Sequence, residues 1–336
     1  MSKELVSVII LNWNGKHLLD DCLQSVLKQT YENVEVIIVD NGSTDDSVKY
    51  INENYGQIEL ILNDENLGFA KGINIGIKRA KGNYLIPLNT DIKLDKDFIK
   101  QMIEASNEPD VGMVSGKLIK ADSLGGDLID STGHVVYKNR LCGNLGRGVH
   151  ESQFKKEEYV FGACGAAPLY KREMLEDIAV NGEYYDENFF SFLEDIDLDW
   201  RAQLRGWKCK FAPSAIAFHW RGGTAVRRTT IVEKHNYKNR YLMILKNDSF
   251  LYFLKNLPQI VFTDIIKSSA LLFRAPTALT GWFSVIKYLP GTLRKRSHIQ
   301  KRRKVSGKEI EKLFKKFDYK NWFKAHITED VYNIRN

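Results

Sequence analysis

The chain opens with apolar runs and helical repeats in strict alternation. Residues 5–11 form an apolar, β-branched run, the pattern of a strand buried on both faces. After Gly15, the residues Leu18, Leu19, Cys22, Leu23, Val26 and Leu27 recur at helical spacing and predict a helix with one buried face. A second buried strand over 34–39 ends at Asp40, and Thr44 is placed to cap a helix running from Asp45 towards Asn54. A third strand follows over 58–62, a third helix over 69–80 and a fourth strand over 84–88. Such alternation predicts an α/β fold with a doubly wound, mainly parallel sheet of Rossmann-like type. Ligands of such sheets gather beyond the carboxyl ends of the strands. The polar residues at those ends are Asn12, Asp40, Asn63 and the group Asn89-Thr90-Asp91.

From 111 to 136 the pattern turns to short strands and glycine-containing loops, and 159–163 resumes it. A helix starting near Glu194 carries Leu198 and Leu204 inward, and two short strands, 209–212 and 215–219, complete the core. The composition then changes. Residues 231–246 read as a basic helix, and 250–289 are rich in Leu, Phe and Ile with charges interspersed. Asp264, Lys267, Ser268 and Arg274 fall near one helical stripe, so this stretch is amphipathic. The expected organisation is a domain over 1–228 and a basic, amphipathic helical extension over 229–336.

Composition adds three constraints. The 336 residues are 43% hydrophobic and 27% charged, which fits a globular chain with a real core. The four cysteines form no C-x-x-C pair, which argues against a zinc ribbon or disulfide scaffold and fits a reducing, cytoplasmic compartment. The N-terminus enters a strand at once and lacks the pattern of a secretory signal. The net charge of +7 is concentrated in Arg294, Lys295, Arg296 and the 301–304 run, a cluster that either seeks an anionic membrane surface or is a solvated face. No uncharged apolar run approaches the roughly 20 residues of a membrane span, so peripheral attachment to the inner face of the membrane is the expectation.

Several residues can carry chemistry. Asp40 opens Asp40-Asn41-Gly42-Ser43-Thr44-Asp45, where a carboxylate can accept from the N–H of a uracil or thymine ring. The same run also suits a plain strand-to-helix turn. In 66–74, the glycines Gly68 and Gly72 flank a helix start that can face a phosphate, or simply allow tight packing. Asp91 offers a hard oxygen ligand for Mg²⁺ or Mn²⁺, or an N-cap. His219 ends a strand and gains meaning only where the fold brings it to Asp91. Glu194, Asp195, Asp197 and Asp199 crowd a helix start, where the helix dipole favours acids, and Asp197 and Arg201 have the spacing of an ordinary helical ion pair. The aromatic run 184–192 before them would make an apolar wall for a sugar, beside carboxylates able to act as general bases.

In this fixed order, over roughly residues 5–225, the pieces resemble the family-two inverting glycosyltransferases with the A-type nucleotide-binding fold. The resemblance implies a nucleotide-sugar donor held by Asn12, Asn14, Asp40, Asn66, Gly68, Phe69, Gly72, Asn74, Asn89 and Thr90. It implies a metal, Mg²⁺ or Mn²⁺, on Asp91 and His219, and a substrate contact at Trp220. Asn89-Thr90-Asp91 stands where the family has its D-x-D motif, with Asn in place of the first acid. Glu194-Asp195 matches the family's acidic pair, which makes Asp195 the catalytic base and Glu194 a substrate-binding neighbour. Gly162 to Gly165 and the 184–192 wall are then candidates for the acceptor side. The Asn-x-Asp form, the 194–201 block and the tail from Asn239 are most similar to the bacterial rhamnosyltransferase-like subgroup. That subgroup implies a dTDP- or UDP-sugar donor and a glycan or polyprenyl-diphosphate-linked acceptor. A sugar nucleotidyltransferase is the alternative, but Asn12-Trp13-Asn14-Gly15 is a poor match for its Gly-rich, Arg-containing loop. A non-enzymatic binding protein is a further alternative. Nucleic acid is not an expected partner, because the acidic rim around Asp91 and Asp195 suits phosphate backbones poorly.

Overall fold

The computed structural model describes residues 4–121, 126–220 and 230–320. Its first part is β1 (Val6–Asn12), α1 (Lys16–Leu27), β2 (Val34–Asp40), α2 (Ser47–Asn54), β3 (Glu59–Leu62), α3 (Phe69–Arg79) and β4 (Tyr84–Asn89). The four strands pair in parallel in the order β4-β1-β2-β3. The register sets Asn12 opposite Asp40 and Leu11 opposite Asn89, so the polar strand ends share one rim. A Cβ at Gly72 would lie 2.4 Å from Leu11 Cδ1, and one at Gly76 2.3 Å from Ile9 Cγ2. Glycine at both positions therefore lets α3 seat directly on β1. The expected cap at Thr44 is not made. The helix begins at Ser47, whose N–H is bound by Asp45 Oδ1, while the Thr44 N–H donates to Asn14 Oδ1.

The chain continues with β5 (Ile92–Leu94), α4 (Phe98–Ala105), β6 (Val111–Lys120), β7 (Ile129–Ser131), β8 (His134–Val136), β9 (Cys142–Asn144), β10 (Glu158–Val160), β11 (Pro168–Lys171), α5 (Arg172–Ile178), α6 (Glu194–Arg205) and β12 (Lys208–His219). The ten-stranded sheet runs β10-β12-β6-β11-β4-β1-β2-β3, with β5 added on β12, β7 on β6, and β11 antiparallel between β4 and β6. Residues 209–212 and 215–219 belong to one strand, β12, because a register shift between Ala212 and Ile216 absorbs the break without ending the pairing to β6. The antiparallel pairing of β12 with β5 puts His219 opposite Ile92, beside Asp91.

Four helices close the described chain: α7 (Thr230–Asn247), α8 (Phe250–Arg274), α9 (Gly281–Arg302) and α10 (Gly307–Leu313). The 228/229 division lies within 221–229, outside the described residues. On either side of it, residues share one apolar cluster that joins Phe161, Phe189 and Trp200 to Leu242, Met243 and Phe314. Buried ion pairs cross the same seam. Lys246 reaches Asp197 at 2.9 Å and also Asp186, and Lys295 reaches Asp186 at 2.7 Å and Glu183 at 2.8 Å. Arg140 joins Asp248 at 2.7 Å and Glu311 at 3.2 Å. Part of the basic cluster near the C-terminus is thus committed internally: Lys295 to those acids, Arg296 to the Leu245 and Asp248 carbonyls, and Arg302 to Asp177. Among the described residues no helix is long and apolar enough to cross a membrane.

Candidate active site

The rim at the ends of β1 and β2 is built from polar groups that satisfy one another. Asn12 is buried and donates to Asp40 Oδ2 at 2.8 Å and to Ser43 Oγ at 3.1 Å. Asp40 Oδ1 accepts from the Ser43 N–H at 2.9 Å, so its carboxylate lies under the rim and pins the turn. Asn14 adopts φ 51° and its Oδ1 accepts from the Thr44 and Asp45 N–H groups. Asn41 carries the network to the next loop by donating to Asn66 Oδ1 at 3.0 Å and accepting from the Leu67 N–H. Gly68 follows at φ 82°, where any Cβ would meet the Phe190 ring at 2.6 Å. Glycine is required there both for the left-handed backbone and for space.

Past β4, the Asn89 N–H donates to the Ala166 carbonyl, and the Asp91 carbonyl accepts from the Trp220 N–H at 2.9 Å. His219 Nε2 stands 3.4 Å from Asp91 Oδ1, and its Nδ1 is 2.8 Å from the buried Asp130 Oδ2. Burial lowers the His219 pKa, but hydrogen bonds to Asp130 and Asp91 outweigh it and bring the ring to about 9. A carboxylate on Nδ1 fixes the ring and leaves Nε2 aimed at Asp91, the arrangement usual behind a metal-bound histidine. Among the described residues no group of three or more His, Cys, Asp or Glu side chains is disposed to hold a metal alone. One hard carboxylate and one oriented imidazole nonetheless fit Mg²⁺ or Mn²⁺ when substrate oxygens complete the shell.

A second histidine repeats this geometry at the start of α6. The buried His134 has Nδ1 2.6 Å from Asp199 Oδ2 and Nε2 3.3 Å from Asp195 Oδ2. Burial alone would lower its pKa, yet Asp195 and Asp199 outweigh that and raise it well above 6.5, which favours the protonated ring. Burial in turn raises Asp195, but the His134 charge and hydrogen bond, with the Ile196 and Gly165 N–H groups, bring it below the ordinary Asp value. Glu194 goes the other way. Burial, then the Asp195 charge, raise it well above a normal glutamate, and its Oε2 has no hydrogen-bond partner. Adjacent carboxyls are thereby pushed in opposite directions, Asp195 towards its ionised form and Glu194 towards its neutral one. Burial also raises Asp199, to about 7.

Local backbone makes room for this cluster. A Cβ on Gly162 would fall 1.8 Å from Asp199 Oδ2, and one on Gly165 would fall 2.6 Å from Asp195 Oδ2. Immediately before Glu194, three non-glycine residues have positive φ: Phe190 at 66°, Phe192 at 72° and Leu193 at 65°. Such backbone costs ~1–2 kcal/mol per residue. It is held by Asn239 of α7, whose Nδ2 lies 3.0, 2.8 and 2.7 Å from the carbonyls of Phe189, Ser191 and Phe192. The same seam joins the two halves of the site, because Gly165 donates to Asp195 while the adjacent Ala166 accepts from Asn89.

The pattern described as "Glycosyl transferase family 2" matches residues 7–179, more than half of the 336-residue chain. The chain belongs to this family. It is 27% identical over 224 residues to the poly-β-1,6-N-acetyl-D-glucosamine synthase of Staphylococcus aureus (strain COL), covering 64% of this chain and 50% of that protein. It is 34% identical over 191 residues to the glycosyltransferase GlyG of Streptococcus pneumoniae serotype 4, covering 55% of this chain and 62% of that one. The chain therefore spans about half to three-fifths of the length of these relatives. Its fold is similar to GalNAc-T7 solved with UDP, GalNAc and Mn²⁺, at TM-score 0.57 and 16% identity over 73% of this chain and 48% of that one. It is also similar to the mannosyltransferase PcManGT of Pyrobaculum calidifontis solved with GDP-Man and Mn²⁺, at TM-score 0.52 and 16% identity over 88% of each chain.

In this family 2 protein the residues singled out from sequence do not all face one cavity. Asp91, His219 and Trp220 do meet, as do Asn12, Asn14 and Asp40. Asn74 is buried, and its amide is engaged with the Tyr185 backbone and Glu187 Oε1. Gly72 serves the packing of α3 on β1, and Phe69 stands edge-on to Tyr185. The aromatic wall is divided, since Tyr185 and Phe189 are core residues while Phe190 is exposed. His134, Asp130, Asp199 and Asn239 are additions from the structure. Asp130 and His134 come from short strands whose place no periodicity announces, and Asp199 reads in sequence as one more helix-start acid.

Proposed function

We propose that this chain is an inverting glycosyltransferase that moves a hexose from a UDP- or dTDP-sugar to a hydroxyl of a growing surface polysaccharide or a lipid-linked glycan. The observation that carries this reading is the geometry around Asp195: His134 Nε2 lies 3.3 Å from its carboxylate, His134 Nδ1 is held by Asp199 at 2.6 Å, and the Gly165 N–H donates to Asp195 while the adjacent Ala166 accepts from Asn89, two residues before Asp91. Asp195 is the ionised base, and it takes the acceptor hydroxyl proton as that oxygen bonds to the anomeric carbon. The bond from that carbon to the diphosphate oxygen breaks on the opposite side, and the nucleoside diphosphate leaves with the electron pair. His134 is a positioning residue that keeps Asp195 ionised and aimed. Asp91 and His219 Nε2 would hold Mg²⁺ or Mn²⁺, which when bound offsets negative charge on the diphosphate. The Asn12–Asp40–Ser43 rim and the Asn66–Gly68 loop orient the nucleotide end of the donor. Glu194, as a neutral acid, donates a hydrogen bond to a sugar or acceptor oxygen.

Two donor classes follow from different supports. The Asn89-Thr90-Asp91 form and the 194–201 block favour a rhamnosyl-type transfer from a dTDP- or UDP-sugar. The names of the S. aureus relative and of GalNAc-T7 solved with UDP favour an N-acetylhexosamine from UDP. The test incubates purified full chain with UDP-, dTDP- and GDP-sugars and Mn²⁺ or Mg²⁺, and reads thermal stabilisation together with nucleoside diphosphate release. Selective, metal-dependent stabilisation by one donor, abolished in Asp91→Ala, is the expected result, with the opposite anomer in the product. A folded protein that answers no donor would overturn the reading.

A further inference from the structure

The helix α8 is amphipathic in an inverted sense. Phe250, Val261 and Leu272 repeat at eleven-residue intervals, as do Leu251, Phe262 and Phe273. Eleven residues return an α-helix to nearly the same side, so both series occupy one strip. All six are exposed, Phe273 by 85%. Most of the polar stripe legible in sequence faces the protein instead, with Arg274 at its end left exposed. Asp264 bonds Arg240 at 2.5 Å, Ser268 meets the Tyr237 hydroxyl at 3.3 Å, Thr263 meets the Tyr319 hydroxyl at 2.7 Å, and Asn256 donates to Glu311 at 2.8 Å.

The first half of α9 continues the surface with Trp282, Phe283 and Ile286, Phe283 being 75% exposed. The start of α8 meets the later part of α9, where Phe250 and Leu251 share one cleft with Leu293 and Arg303. Exposed apolar surface on this scale marks an interaction site. Its charge identifies the partner. Between residues 250 and 302 Asp264 is the only acid, and it is taken by Arg240, whereas Lys255, Arg274, Lys287 and Arg294 are exposed around the apolar strip.

We propose that the outward face of α8 and α9 docks in the plane of an anionic phospholipid bilayer, with the aromatic rings at the acyl boundary and the flanking cations among the headgroups. The apolar strip, rather than the partly committed 294–304 cluster, is the principal contact. This holds whichever sugar is transferred, so failure of one reading leaves the other intact. The test is flotation of the full chain with vesicles of phosphatidylcholine alone or mixed with phosphatidylglycerol. We compare wild type, the triple variant Phe262→Ser/Phe273→Ser/Phe283→Ser, and Arg294→Gln/Arg303→Gln. Thermal melting and donor-induced stabilisation, unchanged in every variant, verify the fold. Wild type should float with the mixed vesicles, and the triple variant should bind ~10-fold or more weakly, since each ring removes a large apolar contact. Three outcomes overturn the proposal: triple-variant binding equal to wild type, loss of binding through the arginine pair alone, or wild type that ignores vesicles and sediments as a dimer dissolved by the triple variant. The last would assign the face to a second copy of the chain.

Discussion

His219 and His134 are built alike and placed differently. Each is buried, each is gripped at Nδ1 by a buried carboxylate, and each turns Nε2 towards a second carboxylate, at 3.4 Å for Asp91 and 3.3 Å for Asp195. The difference lies in what else the second carboxylate touches. Asp195 sits in the first turn of α6 and accepts the Ile196 and Gly165 N–H groups at 2.8 and 3.1 Å, donors that favour its ionised form. Among the described residues, His219 is the one side-chain partner of the Asp91 carboxylate. The proposed roles follow this difference: the carboxylate held by several N–H donors is assigned the base, and the one beside a single oriented imidazole is assigned the cation.

That contrast can be broken by substitution. Asp195→Asn should lower kcat by ~10²- to 10⁴-fold, the range for loss of a general base, with donor affinity unchanged in a thermal-shift titration. Retained turnover would remove Asp195 from the base role. Asp130→Asn acts behind the other histidine, and should lower metal affinity by ~10- to 100-fold while leaving the pH profile of metal-saturated enzyme in place. A metal response equal to wild type would show that His219 needs no orienting carboxylate.

His134→Gln sharpens the comparison by changing the proton side only. Asp195 must be ionised to work, so transfer falls as pH drops through its pKa, which His134 holds below the ordinary Asp value. Without the imidazolium, burial pushes Asp195 up, and the acid limb should move towards neutral pH with kcat reduced ~10-fold. Metal-dependent stabilisation should persist, and an unmoved limb would refute the positioning role. The smallest effect is on stability. The folded pKa of His134 is raised above the unfolded value, so its contribution is present in full below pH ~6.5 and lost as pH rises through the folded value. The Tm gap between wild type and His134→Gln should therefore narrow in alkali. A gap constant with pH would show that His134 titrates alike in both states.

Much of the frame was legible in sequence because it rests on local rules. Buried parallel strands read as continuous apolar runs, and the polar residues that stop them, Asn12, Asp40 and Asn89, must lie on one edge when strands pair in register. The helix start at Glu194 was legible for the same reason. Reading failed where one residue type serves two ends. Of the two readings left open for Gly72, the structure shows the packing one, against Leu11, and Asn74 holds a loop more than a hundred residues away. In the C-terminal helices, period alone shows that a helix has two faces. It does not show which face meets the protein, and α8 presents the apolar one to solvent.

The sequence by itself determined the alternating α/β order, the polar strand ends and the acids Asp91, Glu194 and Asp195, because each depends on residues near in the chain. Only the tertiary structure decided that His219 joins Asp91, that His134 and Asp199 stand behind Asp195, and that Asn239 holds the strained turn before it. Those contacts join residues 61 to 128 positions apart, or 47 to 50 for Asn239, through sheet pairing and helix docking. No local propensity encodes them. They exist because β12 pairs with β5, because Gly162 and Gly165 lack a Cβ where two carboxylates must enter, and because α7 closes over the turn.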